Sequence, residues 1–236
     1  MDFLTELQMP LCQKTKIPVK TLIEKIGGDS RSKKMIEKHV ASINLVSLLN
    51  EQTIRIRSYK DDDYSFQVIY VLEVVLKEYD QMTDFTELIH SAFPESSLLL
   101  MEYKDDVFIS GALKRINKID NSKTVIEDSV WAKLPAEMDI DVPSTRNLKE
   151  YYEFILRLIY RIKAQNVTGI FPKEDGEFKL MIKQYELLSS QISKLKDEYS
   201  AASMRNEKMR IDNDLFIKEQ EMDRLKESIR GGAHFG

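Results

Sequence analysis

The chain has 236 residues and a formal net charge of −4, so it lacks the overall basic excess typical of many nucleic-acid-binding proteins. Its only cysteine, Cys12, excludes an internal disulfide and a cysteine-based zinc site. No apolar run approaches the roughly 18 residues that a membrane-spanning helix needs, so we expect a protein of the reducing cytoplasm without membrane contacts. The length allows one domain with an appended segment.

The first elements of the chain are predicted to be helical. Residues 1–16 show no clear periodicity and are expected to be flexible. Pro18 then suits the first turn of a helix that ends at Gly27. A second helix is predicted from Ser30 to about Leu48, because apolar residues recur at helical spacing at Met35, Ile36, Val40 and Ile43.

The middle of the chain changes to the patterns of strands. Alternating apolar and charged residues predict a strand at Thr53–Arg57, and a stretch rich in β-branched and aromatic residues predicts a long central strand at Phe66–Leu76. A short helix at 84–93, two strands around the turn Lys104-Asp-Asp106 and a helix at 147–165 follow. We therefore predict an α+β domain over residues 17–166, with an antiparallel or mixed sheet, helices on one face and the element order ααββαββ.

The C-terminal segment carries the strongest pattern in the chain. Apolar residues recur at alternating spacings of four and three, which predicts a long coiled-coil helix over residues 177–230 and a flexible tail at 231–236. Two asparagines at consecutive a positions favour a parallel homodimer, in which each pairs with its own copy, and a helix docked on its own domain is the alternative. The heptad phase changes between 211 and 218. The predicted oligomerisation seam consists of Met181, Tyr185, Leu188, Ile192, Leu195, Tyr199, Asn206, Met209 and Asn213.

One group of residues fits a catalytic pattern. Asp84, Glu102 and Lys104 follow the order acid, then Glu-x-Lys, of many metal-dependent nucleases, in which two acids hold Mg²⁺ and the lysine helps to position the attacking water. The alternative is that Lys104 belongs to a solvated hairpin turn. We prefer this alternative, so we predict no catalytic residue and no cofactor. The three histidines share no spacing and are predicted to be structural.

Basic residues are concentrated near the N-terminus. Residues 1–60 carry 11 lysines and arginines against 6 acids. Such a patch without interleaved aromatic residues would contact the DNA backbone through charge alone, and solvated helix faces give the same pattern. The predicted contacts are Lys14, Lys16, Lys20, Arg31, Lys33 and Lys34.

Five segments between residues 10 and 165 carry a resemblance to a known family: Ile17-Pro-Val-Lys20, Val40…Ile43…Leu48…Thr53-Ile, Val68–Leu76, Leu98–Met101 and the pair Glu127…Trp131. Together they resemble a bacterial family of unknown function whose genes often lie beside those of helicases and DNA methyltransferases in restriction and phage-defence islands. The resemblance implies a DNA-defence context and brings no established catalytic residues. We therefore predict a non-enzymatic accessory or assembly subunit of a DNA-processing complex, whose partner is a second copy or a helicase or methyltransferase subunit.

Overall fold

The chain divides into two compact units, Met1–Ile159 and Tyr160–Gly236. The computed structural model describes residues 3–27, 29–136, 138, 140–172 and 176–231. The boundary between the units falls within one helix, α6 (Leu148–Thr168), whereas the sequence placed it in the segment after residue 166. Of the predicted C-terminal tail, residues 232–236 lie outside the described residues.

The first unit is built on β-strands. They are β1 (Thr15–Ile17), β2 (Val40–Leu49), β3 (Tyr59–Lys60), β4 (Ser65–Phe66), β5 (Ile69–Leu76), β6 (Ser96–Tyr103), β7 (Asp106–Ile116) and β8 (Thr124–Lys133). Six of them form a mixed sheet in the order β1-β2-β5-β6-β7-β8, and β3 pairs with β4. Neighbours in the sheet are antiparallel except β5 and β6, which are parallel and therefore need a crossover helix between them.

Helices cover both faces of this sheet. The helices before α6 are α1 (Phe3–Glu6), α2 (Val19–Ile26), α3 (Ser30–His39), α4 (Glu51–Ile54) and the crossover helix α5 (Met82–Ser91). Residues of α2, α3 and α5 share a buried core with one face of the sheet. The other face meets α6, since a Cβ added at Gly111 of β7 would lie 2.7 Å from Leu156 Cδ2. The expectation of helices on one face was wrong. The adjacent residues Leu98 and Leu99 of β6 are both fully buried, which requires cover on both faces.

Around residue 50, part of a predicted helix is a strand, and part of a predicted strand is a helix. The predicted second helix ends at His39, and its continuation is the strand β2. A strand that is buried on both faces has apolar residues at intervals that also fit a helix. The prediction of a helix beyond His39 was therefore wrong. The predicted strand Thr53–Arg57 instead holds the end of α4 and irregular backbone, because the Asn50 side chain caps α4 and Arg55 adopts the left-handed conformation at φ 58°. Arg57 makes only an isolated β-bridge, to Asn147.

Residues 3–17 differ from the expected flexible N-terminus. Leu7 is buried, and its carbonyl accepts a hydrogen bond of 3.2 Å from the Tyr151 hydroxyl of α6. The backbone N–H of Cys12 donates to the carbonyl of Val46 at 2.9 Å. The segment is therefore held against the sheet and α6 by buried side chains and backbone hydrogen bonds.

The second unit contains the end of α6 and two long helices, α7 (Phe178–Ala201) and α8 (Arg205–Gly231). Lys196 of α7 lies 3.1 Å from Glu219 of α8, and the Lys208 ammonium lies 5.3 Å from the ring centre of Tyr199. Since only residues 202–204 join them, the packed helices form an antiparallel hairpin. The predicted single helix over 177–230 was wrong, because Ala202 leaves the helical conformation at φ −66° and ψ 132°.

Candidate functional site

The predicted nuclease residues do not converge. Met101 of β6 is buried in the core beneath α5, so the next residue, Glu102, points to the opposite face of the sheet. Asp84 lies in the first turn of α5 and is therefore on the other side from Glu102. Across residues 3–27, 29–136, 138, 140–172 and 176–231, no group of three or more His, Cys, Asp or Glu side chains is placed to hold a metal ion.

Lys104 belongs to the β6–β7 turn. Tyr103 pairs with Asp106 across this turn, and Lys104 adopts a left-handed φ of 55°. Its ammonium lies 5.0 Å from the ring centre of Tyr103, a distance suited to a cation–π contact. The sequence showed the spacing of Glu102 and Lys104 but could not show which face of the sheet each side chain occupies.

The predicted DNA-contacting residues are spread over two sides of the sheet edge. Lys16 alternates with Thr15 and Ile17 in β1, and Ile17 packs on the core, so Lys16 points to the opposite face. Lys20 of α2 and Arg31, Lys33 and Lys34 of α3 are exposed on the helices that cover the core face. Lys33 lies 3.9 Å from Glu37, a weak surface pair. These residues therefore do not form one continuous basic surface.

Lys14 is engaged by an acid that the sequence reading did not single out. Glu73 lies in the central strand β5, its side chain is 15% exposed, and its Oε1 accepts a hydrogen bond of 2.7 Å from Lys14 Nζ. A half-buried carboxylate of this kind is stabilised by a paired cation. The sequence feature that could have identified Glu73 is its position as the one acid inside the apolar run Val-Leu-Glu-Val-Val. The pair with Glu73 partly neutralises the charge that Lys14 would offer to a phosphate.

The described histidines have structural partners. His90 of α5 is fully buried, with its ring nitrogens 2.7 Å from the Ser97 hydroxyl and 3.0 Å from the Ser110 hydroxyl. Burial lowers the pKa of His90 well below its usual value, so the ring stays neutral. His39 Nε2 lies 2.8 Å from an Asp80 carboxylate oxygen. Both arrangements satisfy the ring nitrogens within the fold.

Lys114 is a buried cation that the sequence reading also missed. Its ammonium donates hydrogen bonds of 2.7 Å to each of the carbonyls of His90, Phe93 and Glu95, at and just beyond the end of α5. The His90 carbonyl also accepts a hydrogen bond of 3.2 Å from the Phe93 N–H. A cation is favourable at that end of the helix dipole. Burial lowers the pKa of Lys114 to about 7. Lys114 therefore fixes α5 onto the sheet.

Only part of the predicted oligomerisation seam is buried, and the rest is exposed on the hairpin. Met181 and Leu188 are buried, and Tyr185, Ile192 and Leu195 are half-buried. In α8 the buried residues follow the second heptad phase: Ile211, Met222, Leu225 and Ile229. The rest of the seam is exposed: Tyr199, Asn206, Met209 and Asn213.

Large apolar side chains remain exposed on both helices of the hairpin. Leu180 and Leu187 are seven residues apart on α7, and we call them the α7 stripe. Met209 and Phe216 are seven residues apart on α8, are 63% and 62% exposed, and are called the α8 stripe. A seven-residue spacing places both members of a pair on one side of a helix. Each stripe is therefore an apolar surface that faces solvent.

Comparison with known families identifies the chain over most of its length. Residues 11–222 match the family described as a domain of unknown function, DUF4391. The chain belongs to this family. No curated protein and no solved structure matches it. The matched region of this DUF4391 protein includes α7 and most of α8, with Met209 and Phe216, so the hairpin is part of the family's domain rather than an appended tail. Among the described residues, no helix is long and apolar enough to cross a membrane.

Proposed function

We propose that this protein is a non-enzymatic accessory subunit that assembles with other components of a DNA-processing complex through its C-terminal hairpin. The observation that carries the proposal is the exposure of the α7 and α8 stripes on helices whose opposite sides are buried. Large apolar residues grouped on one helix side are typical of protein–protein contacts, where a few such residues supply most of the binding energy.

The DNA-processing context rests on the resemblance described above. Genes of the family that the chain resembles often neighbour genes for helicases and DNA methyltransferases, so a subunit of such an enzyme is the expected partner. The exposed Lys33 and Lys34 of α3 would add weak, sequence-independent contact with the DNA backbone. A restriction or phage-defence complex is the setting in which both properties would be used.

The proposal is tested by purification of the tagged full-length protein from its native host. We expect mass spectrometry to identify a helicase or a methyltransferase that co-purifies with the wild type. Leu187→Glu places a charge in the α7 stripe and should abolish this recovery, because an unpaired charge at an apolar contact is strongly unfavourable. Ser189→Glu is the matched control and should retain the partner, because Ser189 is an exposed polar residue of the same helix that points about 160° away from Leu187. Recovery of no DNA-processing protein by the wild type would refute the proposal.

A further inference from the structure

A cavity lies beside the α8 stripe, at the end of the hairpin where α7 meets α8. Its volume is about 340 Å³. The cavity is lined by Tyr199, Ser203, Arg205, Lys208, Met209 and Asp212. The cavity is open to solvent. Tyr199 and Met209 are its apolar residues, and the Lys208 ammonium lies 5.3 Å from the Tyr199 ring centre. Phe216 stands one heptad beyond Met209 and is mostly exposed, so α8 presents both a cavity and a protruding ring.

The cavity and the ring lie on the same flank of α8. An α-helix turns by about 100° per residue, so Arg205, Met209, Asp212, Phe216 and Glu219 fall within an arc of about 80°. Asp212 is at the centre of this set. Arg205 and Glu219 lie seven residues to either side of it, while Phe216 and Lys208 lie four residues to either side.

If two copies of α8 are related by a two-fold axis through Asp212, the ring of each copy lies opposite the cavity of the other. In an antiparallel pair of α8 helices, Phe216 of one copy meets Lys208 of the other copy and so enters the cavity beside it. Arg205 of each copy then faces Glu219 of the other. The Glu219 carboxylate lies 3.1 Å from Lys196 of its own chain and is half exposed, so Arg205 would add a second cation to it. A parallel pair would instead place each Phe216 beside its own copy and each Arg205 beside another Arg205.

We infer that a second copy of this chain docks on the α8 stripe, in an antiparallel dimer in which Phe216 of each copy enters the cavity of the other. The two Asp212 carboxylates lie at the axis, and Lys208 of each copy, one helical turn away, offsets their like charge. The inference rests on the proposed assembly role of the hairpin and names the partner of one of its two stripes. The antiparallel direction replaces the parallel homodimer that the continuous heptads suggested.

Sedimentation velocity of the full-length protein between about 1 and 100 μM tests whether the dimer forms through Phe216. Phe216→Ala should weaken the dimer at least about 100-fold, because each dimer loses two buried rings. Ile217→Ala is the matched control: Ile217 is also an exposed apolar residue of α8, at 47%, but it points about 100° away. A monomeric wild type, or equal weakening by both variants, would overturn the inference.

Cysteine cross-linking in a Cys12→Ser background tests the direction of the pair. Asp212→Cys places a thiol on the axis and should form a disulfide-linked dimer, since a disulfide requires Cα atoms within about 7 Å. Arg205→Cys places its two copies about 21 Å apart along the helices and should not cross-link. A parallel dimer would cross-link at both positions, and that result would overturn the antiparallel geometry.

The two proposals fail in different ways. Loss of the dimer with unchanged recovery of a helicase or methyltransferase would overturn the inference and leave the accessory role standing. An Asp212→Cys cross-link without any DNA-processing partner would support the dimer and refute the accessory role.

Discussion

Replacement of Lys114 by methionine is the perturbation with the best-defined structural consequence. Its ammonium is the donor to the carbonyls of His90, Phe93 and Glu95, each at 2.7 Å. Lys114→Met fills a similar volume but removes every donor. Three carbonyl oxygens at the end of α5 would then be left without these hydrogen bonds, two of them in contacts that are buried.

The magnitude follows from two opposing terms. The Phe93 carbonyl would be left buried without this partner, at a cost of about 1–3 kcal/mol. The His90 carbonyl keeps a hydrogen bond of 3.2 Å from the Phe93 N–H, and the Glu95 contact is only partly buried, so the loss at these two carbonyls costs less. Removal of the buried charge returns part of the total, because desolvation of an ammonium ion also costs several kcal/mol. We therefore expect a net loss of about 2 kcal/mol in the free energy of unfolding, which is large against a typical total of about 5–15 kcal/mol.

Urea denaturation followed by tryptophan fluorescence measures this loss in the first unit, because Trp131 of β8 is the only tryptophan of the chain. The midpoint should fall by about 1–2 M urea. Lys118→Met is the control, since Lys118 is 76% exposed and its ion pair with Asp63 is long at 3.7 Å. A loss of less than about 0.5 kcal/mol for Lys114→Met would refute the reasoning, because it would mean that the carbonyls find other partners.

Four further predictions follow from the same structure. Burial lowers the pKa of Lys114 to about 7, whereas an unfolded lysine titrates near about 10.4. Unfolding therefore takes up a proton between these pH values, so the free energy of unfolding of the wild type should rise relative to that of Lys114→Met from pH 7 to 9. Urea denaturation at each pH measures this difference, and a constant difference would contradict the lowered pKa of Lys114. Gly111→Ala should cost about 1–3 kcal/mol in thermal or urea unfolding, because the added Cβ would lie 2.7 Å from a side-chain carbon of α6; an unchanged stability would show that α6 can shift. Neither the wild type nor Glu102→Ala should nick plasmid DNA with Mg²⁺ or Mn²⁺, and nicking by the wild type alone would restore the nuclease hypothesis. Lys33→Glu with Lys34→Glu should flatten the salt dependence of duplex DNA binding by about two ion contacts, whereas no binding by the wild type at about 50 mM salt would leave both residues to solvation.

Local patterns predicted the elements that are regular and have one dominant signal. The central strand β5, the β6–β7 hairpin, α5 and α6 follow from β-branched runs, turn residues and helical spacing. The α+β class followed from these elements, but they left the sheet either antiparallel or mixed, and the structure shows a mixed sheet. The strand β2 was missed because it is buried on both faces, and its apolar residues then recur at intervals that a helix would also show.

The candidate sites depended on information that the sequence does not carry. Glu102 and Asp84 lie on opposite sides of the sheet only because α5 packs over Met101. The hairpin turn at Ala202–Met204 contains neither glycine nor proline, so no local signal marked it. The change of heptad phase after residue 211 was the visible sign, because α8 buries the second phase and leaves Met209 and Phe216 of the first exposed.

The mass of the purified full-length protein in solution tests most directly the central claim that the α8 stripe of the hairpin mediates assembly. Light scattering coupled to size exclusion should give about twice the 27.5 kDa of one chain for the wild type, and close to 27.5 kDa for Phe216→Ala. A wild-type mass of one chain across the accessible concentration range, or a dimer mass that Phe216→Ala leaves unchanged, would contradict assembly through the α8 stripe.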